Sequence, residues 1–246
     1  MATPKVAPMT PRGLVAVTGG SGYIAGYCIA QLLNECWRAR TTVRNLRAAE
    51  EVRATIGKIT PNASAIEFMA ADLNSDVGWA DAVAGADYVL HVASPVPTVD
   101  PKSDDELVRP ARDGTLRVLK AARDAGVKRV VMTSSISAIM FGRGVREKPF
   151  TEADWTDETN RDDTSPYDRA KTIAERAAWA WHKAEGGGSN SSPSTPAWFS
   201  APFSGRIFRR RSRRSGSCWT VRSRPYRISA STWSTYATSR HCKCWR

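Results

Sequence analysis

The sequence predicts an α/β domain with a doubly wound parallel sheet over residues 13–185, and three observations carry that reading. Short apolar runs alternate with longer stretches of helical periodicity. A glycine-rich turn separates the first such run from the first helix. All 24 acidic residues lie at or before Glu185, so the chain changes character there.

Residues 13–18 (GLVAVT) form a glycine-bounded apolar run, the pattern of a strand buried on both faces. Residues 23–34 (YIAGYCIAQLLN) carry apolar side chains at helical spacing. Residues 40–43 read as the second strand and 48–56 as a short helix. Residues 66–69 read as the third strand, with helix over 75–83, and 88–92 (YVLHV) as the fourth. A long helix is expected over 107–125, ended by Gly126 where a left-handed cap is wanted. Residues 129–133 (RVVMT) give the fifth strand and 167–183 a final helix. Strands joined by helices of this length build a Rossmann-like parallel sheet with right-handed crossovers.

The 246 residues are 41% hydrophobic and 24% charged, enough to bury a core, and that length and composition exclude a collagen-like repeat, a disulfide miniprotein and a wholly disordered chain. No apolar run reaches the length of a membrane span. Residues 1–12 lack the basic-then-apolar order of a secretory signal and read as a loose leader. Five scattered cysteines fit free thiols in a reducing compartment, so a cytoplasmic location is expected. The formal net charge of +12 belongs entirely to the stretch beyond residue 185, which holds twelve basic residues and no acidic one.

The turn after the first strand reads Thr18-Gly19-Gly20-Ser21-Gly22-Tyr23-Ile24-Ala25. Gly19 permits a tight turn, Gly22 lets the backbone approach a pyrophosphate, and Ala25 lets the helix lie close to the sheet. The helix N-terminus behind it offers N–H groups and a positive dipole end to phosphate. An acidic residue ending the second strand would suit the ribose hydroxyls of NAD, whereas Arg44, with Arg47 nearby, suits the 2′-phosphate of NADP. Asp72-Leu73 follows the third strand, where it meets an adenine edge or serves as a helix cap.

Thr133-Ser134-Ser135 ends the fifth strand, at the carboxyl edge where open α/β sheets bind ligands. Tyr167 and Lys171, four apart, share one helical face. A nearby ammonium is expected to lower the tyrosine pKa and ready it for proton transfer. Ser135 is placed to hydrogen-bond a carbonyl oxygen as it gains charge.

These motifs, in order, resemble the extended short-chain dehydrogenase/reductases of the dihydroflavonol reductase and cinnamoyl-CoA reductase group. The matching stretches are TGGSGYIA (18–25), TTVRN (41–45), DL (72–73), HVASP (91–95), DGTLRVLKAARDAGVKRVVMTSS (113–135) and SPYDRAK (165–171). The resemblance implies NADPH-dependent reduction of a small ketone or aldehyde. Ser135 and Tyr167 would polarise and protonate the oxygen, and Lys171 would hold the nicotinamide ribose. It carries the cofactor site onto Gly19, Gly22, Tyr23 and Ile24 at the turn, Arg44, Asp72 and Leu73 beyond it, Val92 and Ala93 after the fourth strand, and Tyr167 and Lys171. His91 reads as a core histidine with no catalytic role. Cys36 stands where many relatives carry a helix-ending glycine, at a small expected cost in stability. The same Ser/Tyr/Lys set also serves NAD-dependent sugar epimerases and dehydratases, against which Arg44 argues.

From Ser189 onward there is no Asp, Glu, Leu or Met, and no strand or helix period is sustained. The family pattern calls there for a sixth strand, an Asn-Pro-Gly and a substrate-binding domain. Back-translated with G/C-rich codons and read one base earlier, residues 186–202 give GGGLELVAVNPGLVLGP, which restores the first two. A slipped reading frame in the glycine codons at 186–188 is therefore expected. Arg209–Arg211 with Trp198, Trp219, Trp233 and Trp245 form a basic, aromatic tail of the kind that binds nucleic acid, and His241, Cys242 and Cys244 hint at metal. Misread codons supply those residue types without selection, so neither partner is assigned. With the sixth strand lost, residues 129–133 are expected to present an unpaired apolar edge and the substrate to lose most of its enclosing wall, leaving the chain poorly soluble and weakly active or inactive.

Overall fold

In a computed structural model of the chain, residues 12–96, 101, 103–144, 146, 148–151 and 153–185 are described in full, and 186, 197–200, 206–211 and 217–222 by their backbone. The expected leader falls almost entirely outside the described residues, as do Trp233, Trp245, His241, Cys242 and Cys244.

Five strands lie parallel in the core: β1 (Leu14–Val17), β2 (Arg38–Val43), β3 (Glu67–Ala70), β4 (Tyr88–His91) and β5 (Arg129–Met132). Helices α1 (Tyr23–Asn34), α2 (Ala49–Gly57), α3 (Trp79–Val83), α4 (Asp105–Asp124) and α5 (Pro166–Trp181) cover the two faces. A further strand, β6 (Ala197–Ser200), lies beyond β5, and the spatial order is β3-β2-β1-β4-β5-β6. The order reverses between β1 and β4, so the carboxyl ends of those strands open a crevice. Alternation along β1 divides the core. Val15 and Val17 pack with Ile29, Leu32 and Leu33 of α1, whereas Leu14 and Ala16 face Val118 and Leu119 of α4. Each of these valine, leucine and isoleucine side chains, almost fully buried, contributes roughly 1.5–3 kcal/mol relative to exposure.

The expected elements are present with shifted ends. Strand β2 begins two residues early because Arg38 pairs with Leu14 in the sheet and reaches Glu67 on β3 at 2.6 Å. The helix expected over 75–83 shrinks to α3. Before it, the Asp72 carboxylate accepts from the Asn74 amide at 2.8 Å, the Ser75 hydroxyl accepts from Val77, and Gly78 turns at φ 90°. These local bonds offer the backbone an alternative to helix. Gly126 adopts φ 68° after α4, as its position requires. Cys36, after α1, adopts φ 64° and is the one non-glycine residue with positive φ among the described residues, which bears out the reading of a glycine position.

One expectation for the C-terminal stretch is corrected. The backbone of β6 runs parallel to β5 in the register Arg129↔Ala197 to Met132↔Ser200, so residues 129–132 are not left at an open edge. Beyond it, β7 (Arg206–Arg211) and β8 (Ser217–Arg222) pair antiparallel as a two-stranded sheet. Ladder pairing uses main-chain groups that every non-proline residue owns, so strands form here without the alternation that would have revealed them.

Candidate active site

The crevice is assembled from the carboxyl ends of β1, β4 and β5, and main-chain bonds lock them together. The Thr18 amide donates to the Leu90 carbonyl, and the Thr133 amide to the His91 carbonyl, each at 2.9 Å. Thr18 is also the hub of the turn. Its hydroxyl oxygen accepts from the amides of Val92 and Ala93, both at 3.0 Å. With both lone pairs taken, the Thr18 proton goes to His91 Nδ1, 2.9 Å away. His91 is then protonated on Nε2, which faces the Thr115 hydroxyl of α4 at 3.3 Å. Burial first, and the nearby Lys171 charge second, hold the imidazole neutral with its pKa pushed down to about 3. His91 is the core histidine that the sequence reading expected.

The glycine turn is tight for visible reasons. Gly19, at φ 76°, comes so close to the next loop that an added Cβ would lie 3.0 Å from Ala93 Cα. A Cβ on Gly20 would lie 2.4 Å from Thr41 Oγ1. The Gly19 amide donates to the Thr42 hydroxyl and the Gly20 amide to the Thr42 carbonyl, tying the turn to β2. Gly22 caps α1 with no side-chain hydrogen bond, and the first turn of α1 holds no acidic residue. The helix thus presents a positive end with uncapped N–H groups at Tyr23 and Ile24, both exposed. Ala25 is fully buried against the sheet, as close helix packing requires. This cradle fits a dinucleotide pyrophosphate on charge and on space.

Arg44 is exposed immediately past the end of β2. Asp72 and Leu73 have structural work. Asp72 closes the turn at Asn74, while Leu73 lies against Gly114 of α4, where an added Cβ would come within 2.7 Å of it. The Leu73 carbonyl accepts from Arg117 at 2.7 Å.

The Ser/Tyr/Lys set converges at the end of β5. Ser165, Pro166 and Asp168 begin α5 with a capping box, in which the Asp168 amide donates to Ser165 Oγ at 3.2 Å and the Ser165 amide to the Asp168 carboxylate at 2.9 Å. That start puts half-buried Tyr167 in the first turn and Lys171 one turn on. Lys171 Nζ donates to the Thr133 carbonyl at 2.9 Å. Burial lowers the ammonium pKa to about 8, opposed by the charge of Glu175. The Ser135 oxygen accepts from the Ser137 amide at 3.1 Å, so its own proton is left to donate. Thr156 holds this turn through a 2.6 Å bond to the Ser137 carbonyl.

The expected direction of the Tyr167 pKa is corrected. Burial of the phenol is the largest influence and raises it, with Asp168 adding to the rise and the Ser135 hydrogen bond opposing it. The Lys171 ammonium is engaged by the Thr133 carbonyl and does not overcome that burial.

Sequence reasoning passed over Thr18 and Glu175. The first was legible as the threonine preceding the glycines, the second as the acidic residue four after Lys171. It also passed over Arg169 of α5, which pairs with Asp104, the N-cap of α4, through two hydrogen bonds of 2.8 and 2.6 Å. Among the described residues no group of His, Cys, Asp and Glu is arranged to hold a metal, and no helix is long and apolar enough to cross a membrane.

Comparison with known proteins agrees with this geometry. The model of the NAD dependent epimerase/dehydratase family matches residues 15–201. The chain belongs to that family. Tetraketide alpha-pyrone reductase 1 of Arabidopsis thaliana is 36% identical over 180 residues, covering 71% of this chain and 54% of the relative. Cinnamoyl-CoA reductase CAD2 of Medicago truncatula is 34% identical over 180 residues, covering 69% and 53%. Vestitone reductase from alfalfa superposes with a TM-score of 0.58 at 30% identity, covering 71% of this chain and 54% of that structure. Yeast methylglyoxal/isovaleraldehyde reductase Gre2, complexed with NADPH, superposes with a TM-score of 0.60 at 26% identity, covering 70% and 53%. This member of the epimerase/dehydratase family thus spans about half the length of the curated relatives it matches.

Proposed function

We propose that the domain is the nucleotide-binding half of an NADPH-dependent reductase acting on a ketone or aldehyde. One observation carries the reading. The uncapped, acid-free start of α1 and the Ser135, Tyr167 and Lys171 cluster open onto the same carboxyl edge of one sheet. Relatives named as reductases, one of them solved with NADPH, support it.

The turn at Gly19 and Gly22 and the amides of Tyr23 and Ile24 would hold the pyrophosphate, and Arg44 the 2′-phosphate. Val92, Ala93 and Lys171 would border the nicotinamide ribose, with Asp72 and Leu73 toward the adenine. Bound there, NADPH supplies a hydride to the carbonyl carbon. The chain's own part lies at the oxygen. Ser135 donates a hydrogen bond as negative charge grows there. Tyr167 then delivers its proton to that oxygen, and the product is the alcohol. The raised Tyr167 pKa keeps the phenol protonated at neutral pH, the form this reduction requires.

The stretch from 186 onward is read as out of frame, so the wall that encloses the substrate in longer relatives is scrambled and turnover is impaired. Sequencing the gene across the codons for Gly186, Gly187 and Gly188 tests that part. The functional reading is tested on the purified chain by fluorescence titration with NADPH and NADH. Saturable binding that favours NADPH is expected, and binding of neither nucleotide would refute it.

A further inference from the structure

Glu175 lies outside the Ser/Tyr/Lys set, yet it touches the site from behind. Its Oε2 accepts the hydroxyl proton of Ser134, and its Oε1 faces Trp179 Nε1 at 3.3 Å. Ser134 stands between Thr133, whose carbonyl holds Lys171, and Ser135, so the bond to Glu175 crosses from the end of β5 to α5 at the point where both carry reacting groups. Lys171 and Glu175 are four apart and therefore share a helix face.

We propose that Glu175 is a positioning residue of this site, its carboxylate clasping Ser134 to α5 and keeping the Lys171 side chain charged and seated on the Thr133 carbonyl. The inference rests on the functional reading above, because it assigns a task in support of Lys171.

Two independent lines converge on it. Geometrically, a carboxylate bonded to both Ser134 and Trp179 has its rotamer fixed rather than free to swing into water. Electrostatically, Lys171 is a buried cation, and burial favours its neutral form. The titratable groups near it among the described residues are His91 at the end of β4 and Tyr167 and Glu175 on α5. His91 and Tyr167 are both uncharged at neutral pH, which leaves Glu175 as the negative charge that opposes burial. Removing that charge pushes the Lys171 pKa lower and leaves the amine neutral over part of the working range. A neutral amine binds a ribose hydroxyl and the Thr133 carbonyl less firmly than an ammonium does.

The test is an NMR pH titration of the lysine side chains in the isotope-labelled chain without nucleotide, with the Lys171 signal assigned by its loss in Lys171→Met. Glu175→Gln preserves shape and removes charge, and Glu175→Ala removes both; circular dichroism verifies that each is folded, and either one decides. Both are expected to lower the Lys171 midpoint by about one pH unit. Ser134→Ala removes the hydrogen bond and keeps the charge, so a shift less than half as large is expected. A Lys171 midpoint unchanged in the Glu175 variants overturns the proposal, as does a Ser134→Ala shift equal to theirs. Because the readout needs no cofactor, failure to bind NADPH would sink the functional reading while leaving this measurement to decide on Glu175.

Discussion

The Thr18 hydroxyl and His91 Nδ1 lie 2.9 Å apart, and that bond fixes the imidazole as a neutral Nε2–H tautomer in the floor of the crevice. A proton added to Nδ1 would face a hydroxyl whose lone pairs already accept two amides.

That relationship makes stability depend on pH. The folded His91 pKa is depressed to about 3 from an ordinary 6.5, so below 6.5 the unfolded chain takes up a proton that the folded chain refuses. Stability therefore falls as pH drops through that window, by at most about 1.4 kcal/mol per pH unit from this group. Urea unfolding between pH 6.5 and 4.5 should show a shallower slope for His91→Gln than for the unsubstituted chain. Equal slopes would mean that His91 is not held neutral by the fold.

Cys36 occupies the left-handed region at φ 64° after α1, where a side chain crowds its own backbone. Cys36→Gly is expected to raise stability by about 1 kcal/mol, with the steric relief partly offset by a more flexible unfolded chain. A higher urea midpoint with an unchanged denaturant slope is the expected result. A lower midpoint would indicate that packing of the thiol outweighs the backbone strain.

Asp104 accepts two bonds from Arg169, whose side chain is only 8% exposed, and one from the largely exposed Arg161. Asp104→Ala leaves the Arg169 charge buried with Thr164 as its remaining acceptor among the described residues, and is expected to cost about 3 kcal/mol. Arg161→Ala, acting at the solvent side of the same carboxylate, should cost less than about 1 kcal/mol. Chemical denaturation of the two variants distinguishes them. Equal losses would deny that the α4–α5 clasp is the stronger pair.

Arg44 stands exposed immediately past the end of β2. Arg44→Asp exchanges a 2′-phosphate partner for a ribose-hydroxyl acceptor. NADPH affinity should fall about tenfold or more, the worth of one charge-assisted contact, while NADH affinity holds or rises. A nucleotide preference unaltered by this change would make Arg44 an ordinary surface charge.

Local chemistry in the sequence determined much of this protein. Apolar runs placed β1 and β4, Gly126 the end of α4, and the spacing of Tyr167 and Lys171 their common face. These are near-neighbour effects, governed by periodicity and by which backbone angles a residue tolerates. Tertiary structure decided the rest, because it turns on which groups from distant segments meet. Burial raised Tyr167 against the expected direction, Leu73 met Gly114 of α4, and Glu175 found Ser134 across 41 residues. The edge of β5 was covered by Ala197–Ser200 because main-chain pairing is indifferent to the side chains from which a sequence is read.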